Sequence, residues 1–253
     1  MKISIITVCF NAAGSIASTI QSVLAQDYPH KEMLIFDGGS TDGTQDVVAA
    51  ILADMPDAPI SFVSERDTGM YDALNKGLDR FTGDAVGALN ADDTYHSPAV
   101  LSQIAATLDR AAIVHGDLDF VTDHNTKRVV RRWRVPEHPK GGFRAGWMPA
   151  HPTFYVRREV VDAVGRYDLS LKTASDYDFM LRAIELNDFS IAKVPGTMVD
   201  MMQGGRSTAS LRSHVAHNLE ALKARQKWLG AGIVDRALIA KPASKIGQFI
   251  GGR

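Results

Sequence analysis

The sequence predicts an α/β protein with a mostly parallel, Rossmann-like central sheet flanked by helices. Three observations carry that prediction. Short apolar runs alternate with amphipathic helical stretches through the first half of the chain. The runs are apolar throughout, as strands covered on both faces are. Polar residues gather just after the runs, where open α/β sheets bind their ligands. At 253 residues, with 45% hydrophobic and 23% charged residues, the chain has an ordinary globular composition and enough length for a full core.

The elements follow in order. Ile3 to Val8 is rich in β-branched residues and reads as a buried strand. Ser15 to Ala25 sets Ile16, Ile20, Val23 and Leu24 at helical spacing. Met33 to Phe36 is a second strand ending in Asp37-Gly38-Gly39-Ser40, followed by a helix over Thr44 to Leu52. Ile60 to Val63 is a third strand, Met70 to Phe81 a helix, and Ala85 to Leu89 a fourth strand running into Asn90-Ala91-Asp92-Asp93. A helix over Pro98 to Leu108 and a fifth strand over Ile113 to His115 complete the alternation.

After Asp117 the rhythm changes. Phe120–Val121 and Val129–Trp133 predict a hairpin around Asp123-His124-Asn125, and a Pro/Gly-rich loop spans Pro136 to Pro149. A strand over Thr153 to Val156, helices over Glu159 to Val164 and Ser175 to Glu185, and a strand over Ile191 to Val194 follow. His214 to Leu229 is a long amphipathic helix.

Composition and motifs exclude several classes. A net charge of −1 argues against a general nucleic-acid binder. A single cysteine, Cys9, precludes an internal disulfide and suits a reducing compartment. No apolar run reaches the ~18–20 residues of a membrane span, and Asn11 interrupts the N-terminal run before any cleavage site, so a cytoplasmic location is expected. The segment Cys9-Phe10-Asn11-Ala12-Ala13-Gly14 is no dinucleotide fingerprint. A phosphate loop, a Cys/His zinc set and a G-x-S-x-G elbow are likewise absent from the sequence.

What remains is acidic. Asn11, Asp37, Glu65 and Asp92-Asp93 follow four strands in turn. Turn and cap preferences account for any one of them, but carboxylates at successive strand ends converge on one crevice. Adjacent carboxylates such as Asp92 and Asp93 point different ways, so one can reach a divalent cation and the other a ribose hydroxyl. Oxygen ligands of this kind suit Mg2+ or Mn2+ held between few carboxylates and a substrate phosphate.

Five segments then form a recognisable series: Ser4-Ile5-Ile6-Thr7-Val8 with Asn11; Asp37-Gly38-Gly39-Ser40-Thr41-Asp42-Gly43-Thr44; Ser64 to Gly77; Leu89-Asn90-Ala91-Asp92-Asp93; and Ala174-Ser175-Asp176-Tyr177-Asp178-Phe179-Met180-Leu181-Arg182. In this order they resemble the family 2 nucleotide-sugar glycosyltransferases, inverting enzymes with a GT-A fold, over about Lys2 to Ser207. The resemblance implies transfer from a nucleotide diphosphate sugar, with a UDP-sugar as the leading expectation, to a hydroxyl of a glycan or lipid-linked acceptor in cell-surface polysaccharide synthesis. It implies that Thr7 and Asp37 line the nucleobase pocket, that Asn11 belongs to the nucleotide-sugar site, and that Asp67, or its neighbours Glu65 and Arg66, closes the other side of the nucleoside. It places Asp92 near the ribose and makes Asp93 the metal ligand, with Asn90 replacing the first acid of the D-x-D element. Asp176 matches the catalytic base, with Asp178 as a rival; Ser175 stands where relatives often have Glu. Arg206, in Gly204-Gly205-Arg206-Ser207, resembles part of a loop that folds over the donor, and His151 lies where relatives have an acceptor-side residue. Trp133, Trp147 and Tyr155 fit either an acceptor cleft or core. A sugar-nucleotide nucleotidyltransferase and a non-catalytic nucleotide-sugar-binding module are the alternatives. The first would carry a basic Gly-rich loop after strand one, and the second has no need of both Asp93 and Asp176.

The expected organisation is a catalytic domain over 1–211, split into a nucleotide-sugar half (1–117) and an acceptor half (118–211), with a basic helical extension over 212–253. That extension holds eight basic and two acidic residues, +6, against 20 basic and 27 acidic, −7, in the rest. With Trp228, Ile246, Phe249 and Ile250 it suits peripheral contact with the inner face of an anionic membrane; the alternatives are a first helix packed on the catalytic domain with a solvated remainder, or a dimer contact.

Overall fold

The computed structural model describes residues 1–123, 126–139, 141–203 and 211–232. Among these, nine strands form one mixed sheet. Strands β1 (Ile3–Cys9), β2 (Lys31–Asp37), β3 (Ile60–Ser64) and β4 (Ala85–Ala88) run parallel in the order β3-β2-β1-β4. They alternate with helices α1 (Ile16–Leu24), α2 (Thr44–Asp54) and α3 (Met70–Arg80). The period of two along β1 divides the core. Ile3, Ile5 and Cys9 pack with Ile16, Ile20 and Val48, whereas Ile6 packs with Leu74. Gly77 lets α3 approach that closely, because a Cβ there would stand 2.6 Å from the Ile6 side chain.

The sheet continues through β5 (Asp93–Tyr95), β6 (Ile113–Val121), β7 (Val129–Trp133), β8 (Tyr155–Arg157) and β9 (Ile191–Met202). Its order past β4 is β8-β6-β9-β5, with β7 on β6. Here β8 is antiparallel to both β4 and β6, β6 is parallel to β9, and β5 and β7 are antiparallel to their partners. Helices α4 (Val100–Leu108), α5 (Arg158–Val164), α6 (Ser175–Glu185) and α7 (Leu211–Leu229) complete the described elements.

Four departures from the sequence reading have physical causes. The runs at 113–115 and 120–121 are one buried nine-residue strand; Asp117 and Asp119 interrupt its hydrophobicity but are paired with Lys193 at 2.9 Å and Arg134 at 2.6 Å. The strand from Ile191 extends to Met202 through Pro195-Gly196, where Gly196 takes a φ of 78° and the register with β6 shifts. Residues His151–Thr153 form a 3-10 turn ahead of β8, and the three residues of β5 were too few to stand out. Strand β6 is continuous through 117 and 118, and α7 begins at Leu211 and sends Ala221, Ala224 and Leu229 into the same core as α3 and α6. That helix is part of the body, and the extension beyond 232 lies outside the described residues.

Candidate active site

The carboxyl ends of β1, β2 and β3 meet as one rim. Asn11, in the left-handed region at φ 54°, donates its N–H to Ser40 Oγ at 2.8 Å and accepts at Oδ1 from the Thr41 N–H at 3.0 Å. Asp37 is 1% exposed and turned inward, accepting from the Ser40 N–H, the Ser40 hydroxyl and Ser64 Oγ at 2.6 Å. Burial alone would raise its pKa; those hydrogen bonds outweigh burial and hold it below the ordinary carboxylate range. The loop after β2 lies on the loop after β3: a Cβ on Gly38 would fall 2.7 Å from Asp67 Oδ2. Asp67 in turn accepts from the Gly69 N–H at 2.9 Å, Glu65 pairs with Lys76 at 3.0 Å, and Arg66 is exposed.

Two nucleobase-side residues lie deepest in the rim. Thr7 is fully buried with its hydroxyl unpartnered, because it follows Ile5 and precedes Cys9 on the interior face of β1. The Asp37 carboxylate organises the Ser40 turn at the end of β2. Asn11, Glu65, Arg66 and Asp67 do share the rim.

At the end of β4 the chain turns into β5 through Asn90 to Asp93. Asp92 is half-buried. Asp93 is fully buried: Oδ2 accepts from Asn90 Nδ2 at 2.8 Å, while Oδ1 has no hydrogen-bond partner. Burial, then the neighbouring Asp92 charge, pushes its carboxyl up to about 8. A buried carboxylate oxygen without a donor is costly, and a divalent cation would satisfy it. No group of three or more His, Cys, Asp or Glu that could hold a metal occurs among the described residues. The donor set thus fits an ion shared with substrate phosphates, not a closed protein cage.

Asp176 and Asp178 open α6, where carboxylates complement the helix dipole. Their surroundings differ sharply. Asp178 is 1% exposed, ion-paired through Oδ2 with Arg182 Nε at 2.7 Å, and accepts at Oδ1 from Trp228 Nε1 at 2.7 Å. Asp176 is half-buried and accepts at Oδ1 from the Tyr71 hydroxyl at 2.9 Å. Tyr71 sits in the first turn of α3, just past the end of β3, so this bond brings Asp176 to the same rim. Burial and the Asp176 charge raise the Tyr71 pKa, keeping the phenol a donor. Tyr71 stacks on Tyr167, which stacks on Phe179. Asn75 fixes Tyr167 through two backbone bonds, 3.0 Å and 2.9 Å.

His151 joins this group, its Nε2 at 2.9 Å from the Tyr167 hydroxyl, with a pKa lowered by burial. Trp147 and Tyr155 are core: Trp147 Nε1 donates to the Pro136 carbonyl and the Tyr155 hydroxyl meets that of Tyr95. Arg206 lies outside the described residues. The sequence reading missed Tyr71 and Tyr167 as neighbours of Asp176. Tyr71 stood inside a quoted segment, but its partner is 105 positions away.

The description Glycosyl transferase family 2 matches residues 4–165, a span that includes Asp93 and stops short of Asp176. An uncharacterised glycosyltransferase of Mycobacterium tuberculosis is 31% identical over 182 residues, 72% of this chain and 68% of that protein. A PGL/p-HBAD biosynthesis glycosyltransferase of Mycobacterium bovis is 30% identical over 189 residues, 71% and 68% of the two chains. Two solved structures share the fold at 18% identity. TarS 1–349 of S. aureus in complex with UDP-GlcNAc has a TM-score of 0.69, covering 94% of this chain and 69% of that one. The mannosyltransferase PcManGT from Pyrobaculum calidifontis in complex with GDP-Man and Mn2+ has a TM-score of 0.69, covering 100% and 76%. The mixed sheet with flanking helices is the GT-A architecture of these enzymes.

Proposed function

The chain belongs to glycosyl transferase family 2, and from that premise we propose that it is an inverting, metal-assisted transferase. In this reading it moves a sugar from a UDP-sugar to a hydroxyl of a glycan or lipid-linked acceptor in cell-surface polysaccharide synthesis. The observation that carries it is the contrast of two carboxylates: Asp93, buried with one oxygen unpartnered, and Asp176, half-exposed on a tyrosine. Asp93 would hold a Mn2+ or Mg2+ ion, which when bound supplies positive charge beside the leaving diphosphate. Asp92 would meet the ribose, and Asn11, Glu65, Arg66 and Asp67 would bound the nucleoside. Arg206, outside the described residues, would approach the diphosphate. His151, through Tyr167, would shape the acceptor side.

Asp176 would take the proton of the acceptor hydroxyl as that oxygen attacks the anomeric carbon. The bond from that carbon to the diphosphate oxygen breaks, the nucleoside diphosphate leaves with the electron pair, and the configuration inverts. The bound UDP-GlcNAc of TarS and the GDP-Man of PcManGT make the choice of base the first thing to measure. In a panel of UDP-, GDP- and dTDP-sugars with Mn2+, a UDP-sugar should raise the melting temperature most and release its nucleoside diphosphate. A larger shift with a GDP- or dTDP-sugar would overturn the assignment of the base.

No helix among the described residues is long and apolar enough to cross a membrane. The basic segment after Leu229 would supply peripheral attachment at the inner membrane face. Co-sedimentation of the full chain with anionic liposomes should fall with salt and be lost on truncation after Leu229. Equal sedimentation of both forms would remove the membrane role.

A further inference from the structure

The residues flanking Asp176 are held by a helix more than 30 positions away, outside the segment matched by the family. Helix α6 starts without a side-chain cap of its own, since its N-cap position is Ala174. Glu220, on α7, approaches the segment ahead of it. One oxygen accepts from the Thr173 N–H at 2.8 Å, the Thr173 hydroxyl at 2.8 Å and the Ala174 N–H at 3.0 Å, and the other from the Lys172 N–H at 3.2 Å. His217 Nδ1 meets the Thr173 carbonyl at 2.8 Å. Beyond Asp176, Arg225, 1% exposed, donates to the Tyr177 hydroxyl at 2.9 Å, and Trp228 donates to Asp178. Thr173, Ala174, Tyr177 and Asp178 are thus all gripped by α7, while the Asp176 side chain is left to Tyr71.

We propose that Glu220 is a positioning residue for the base: its carboxylate fixes the backbone of 172–174 and thereby sets the place from which Asp176 reaches the acceptor hydroxyl. This rests on the reading of Asp176 as the base. The physical ground is that three backbone N–H groups and one hydroxyl converge on one carboxylate, giving charge-assisted bonds that neutral side chains match poorly. Burial would raise the Glu220 pKa, but the Thr173, Lys172 and Ala174 bonds outweigh it and keep the group ionised at neutral pH. Releasing them lets the first turn of α6 drift, and displacements of about 1 Å cost on the order of 10²-fold in turnover.

The test uses the full chain in the variants Glu220→Ala and Glu220→Gln. It reads UDP affinity with Mn2+, turnover of a UDP-sugar, and amide hydrogen exchange over 172–178. Glu220→Ala should lower kcat by on the order of 10–100-fold, leave UDP affinity unchanged and speed exchange in that segment. Glu220→Gln keeps one acceptor oxygen but loses the charge, and should fall between the parent and Glu220→Ala in turnover. Should the alanine variant not fold, Trp228→Phe loosens the same turn from the Asp178 side and should show the same split between kcat and UDP affinity. Unchanged kcat with unchanged exchange in Glu220→Ala, or equal losses of kcat and UDP affinity, would overturn the proposal. An active Asp176→Asn together with faster exchange in Glu220→Ala would overturn the base instead and leave the clamp standing as a structural one.

Discussion

Asp176→Asn should bind donor as the parent chain does and lose turnover by on the order of 10²–10⁴-fold, the usual contribution of a general base. The amide preserves size and can still accept from the Tyr71 hydroxyl, but it cannot take a proton from the acceptor. Its neighbour gives the control. Asp178→Asn breaks a buried ion pair with Arg182 and weakens the bond from Trp228. Removing one partner of a buried pair typically costs about 3–5 kcal/mol, so this variant should melt well below the parent. Turnover per folded molecule, nucleotide affinity and melting temperature separate the two. An Asp178→Asn chain that is inactive yet normally stable, beside an active Asp176→Asn, would exchange their roles.

How far the sequence reached depends on the distance over which each feature is decided. The strands and helices up to Leu108, apart from the three-residue β5, were legible because each is set by a local apolar period and a turn after it. The rim was legible for the same reason: Asn11, Glu65, Arg66, Asp67, Asp92 and Asp93 follow strand ends, and parallel strands bring their ends together. What failed was decided by distant partners. Asp117 and Asp119 read as breaks because Lys193 and Arg134, which pair with them, come later in the chain. Sequence likewise does not say how deep a side chain at a strand end sits, and Thr7 and Asp37 are both buried. Sequence favoured Asp176 with Asp178 as a rival, and it is the contacts from Arg182 and Trp228 to Asp178 that separate their environments.

The amphipathic pattern of α7 carried both a membrane and a packing interpretation. Its exposed Val215 and Leu219 belong to the pattern as much as its buried Ala221 and Ala224. The core contacts of Ala221, Ala224 and Leu229 and the partners of Glu220, Arg225 and Trp228 decide for packing. The segment beyond it carries its charge without a described structure, so its role rests on charge and composition.

Asp93→Asn should abolish metal-dependent turnover and, in the metal-free chain, raise stability at neutral and alkaline pH. The two effects have one cause. Asp93 is fully buried, one oxygen lacks a donor, and its pKa stands near 8 against an ordinary carboxylate value near 3.8. The folded chain therefore holds a proton there that the unfolded chain has already lost. With more protons bound in the folded state, stability falls as pH rises from about 4 to about 8 and levels off above. An asparagine has no such titration, so its advantage should grow over that window and persist beyond it. Mn2+ should reverse the order, since the ion binds the carboxylate and stabilises the parent chain by mass action. Melting curves of both chains at pH 5, 7 and 9, with Mn2+ and with chelator, measure all of this. If the variant is less stable than the parent at every pH in chelator, the unpaired buried charge is not a cost to the fold. If the parent turns over a nucleotide sugar equally well in excess chelator, Asp93 serves the site by some means other than holding a cation.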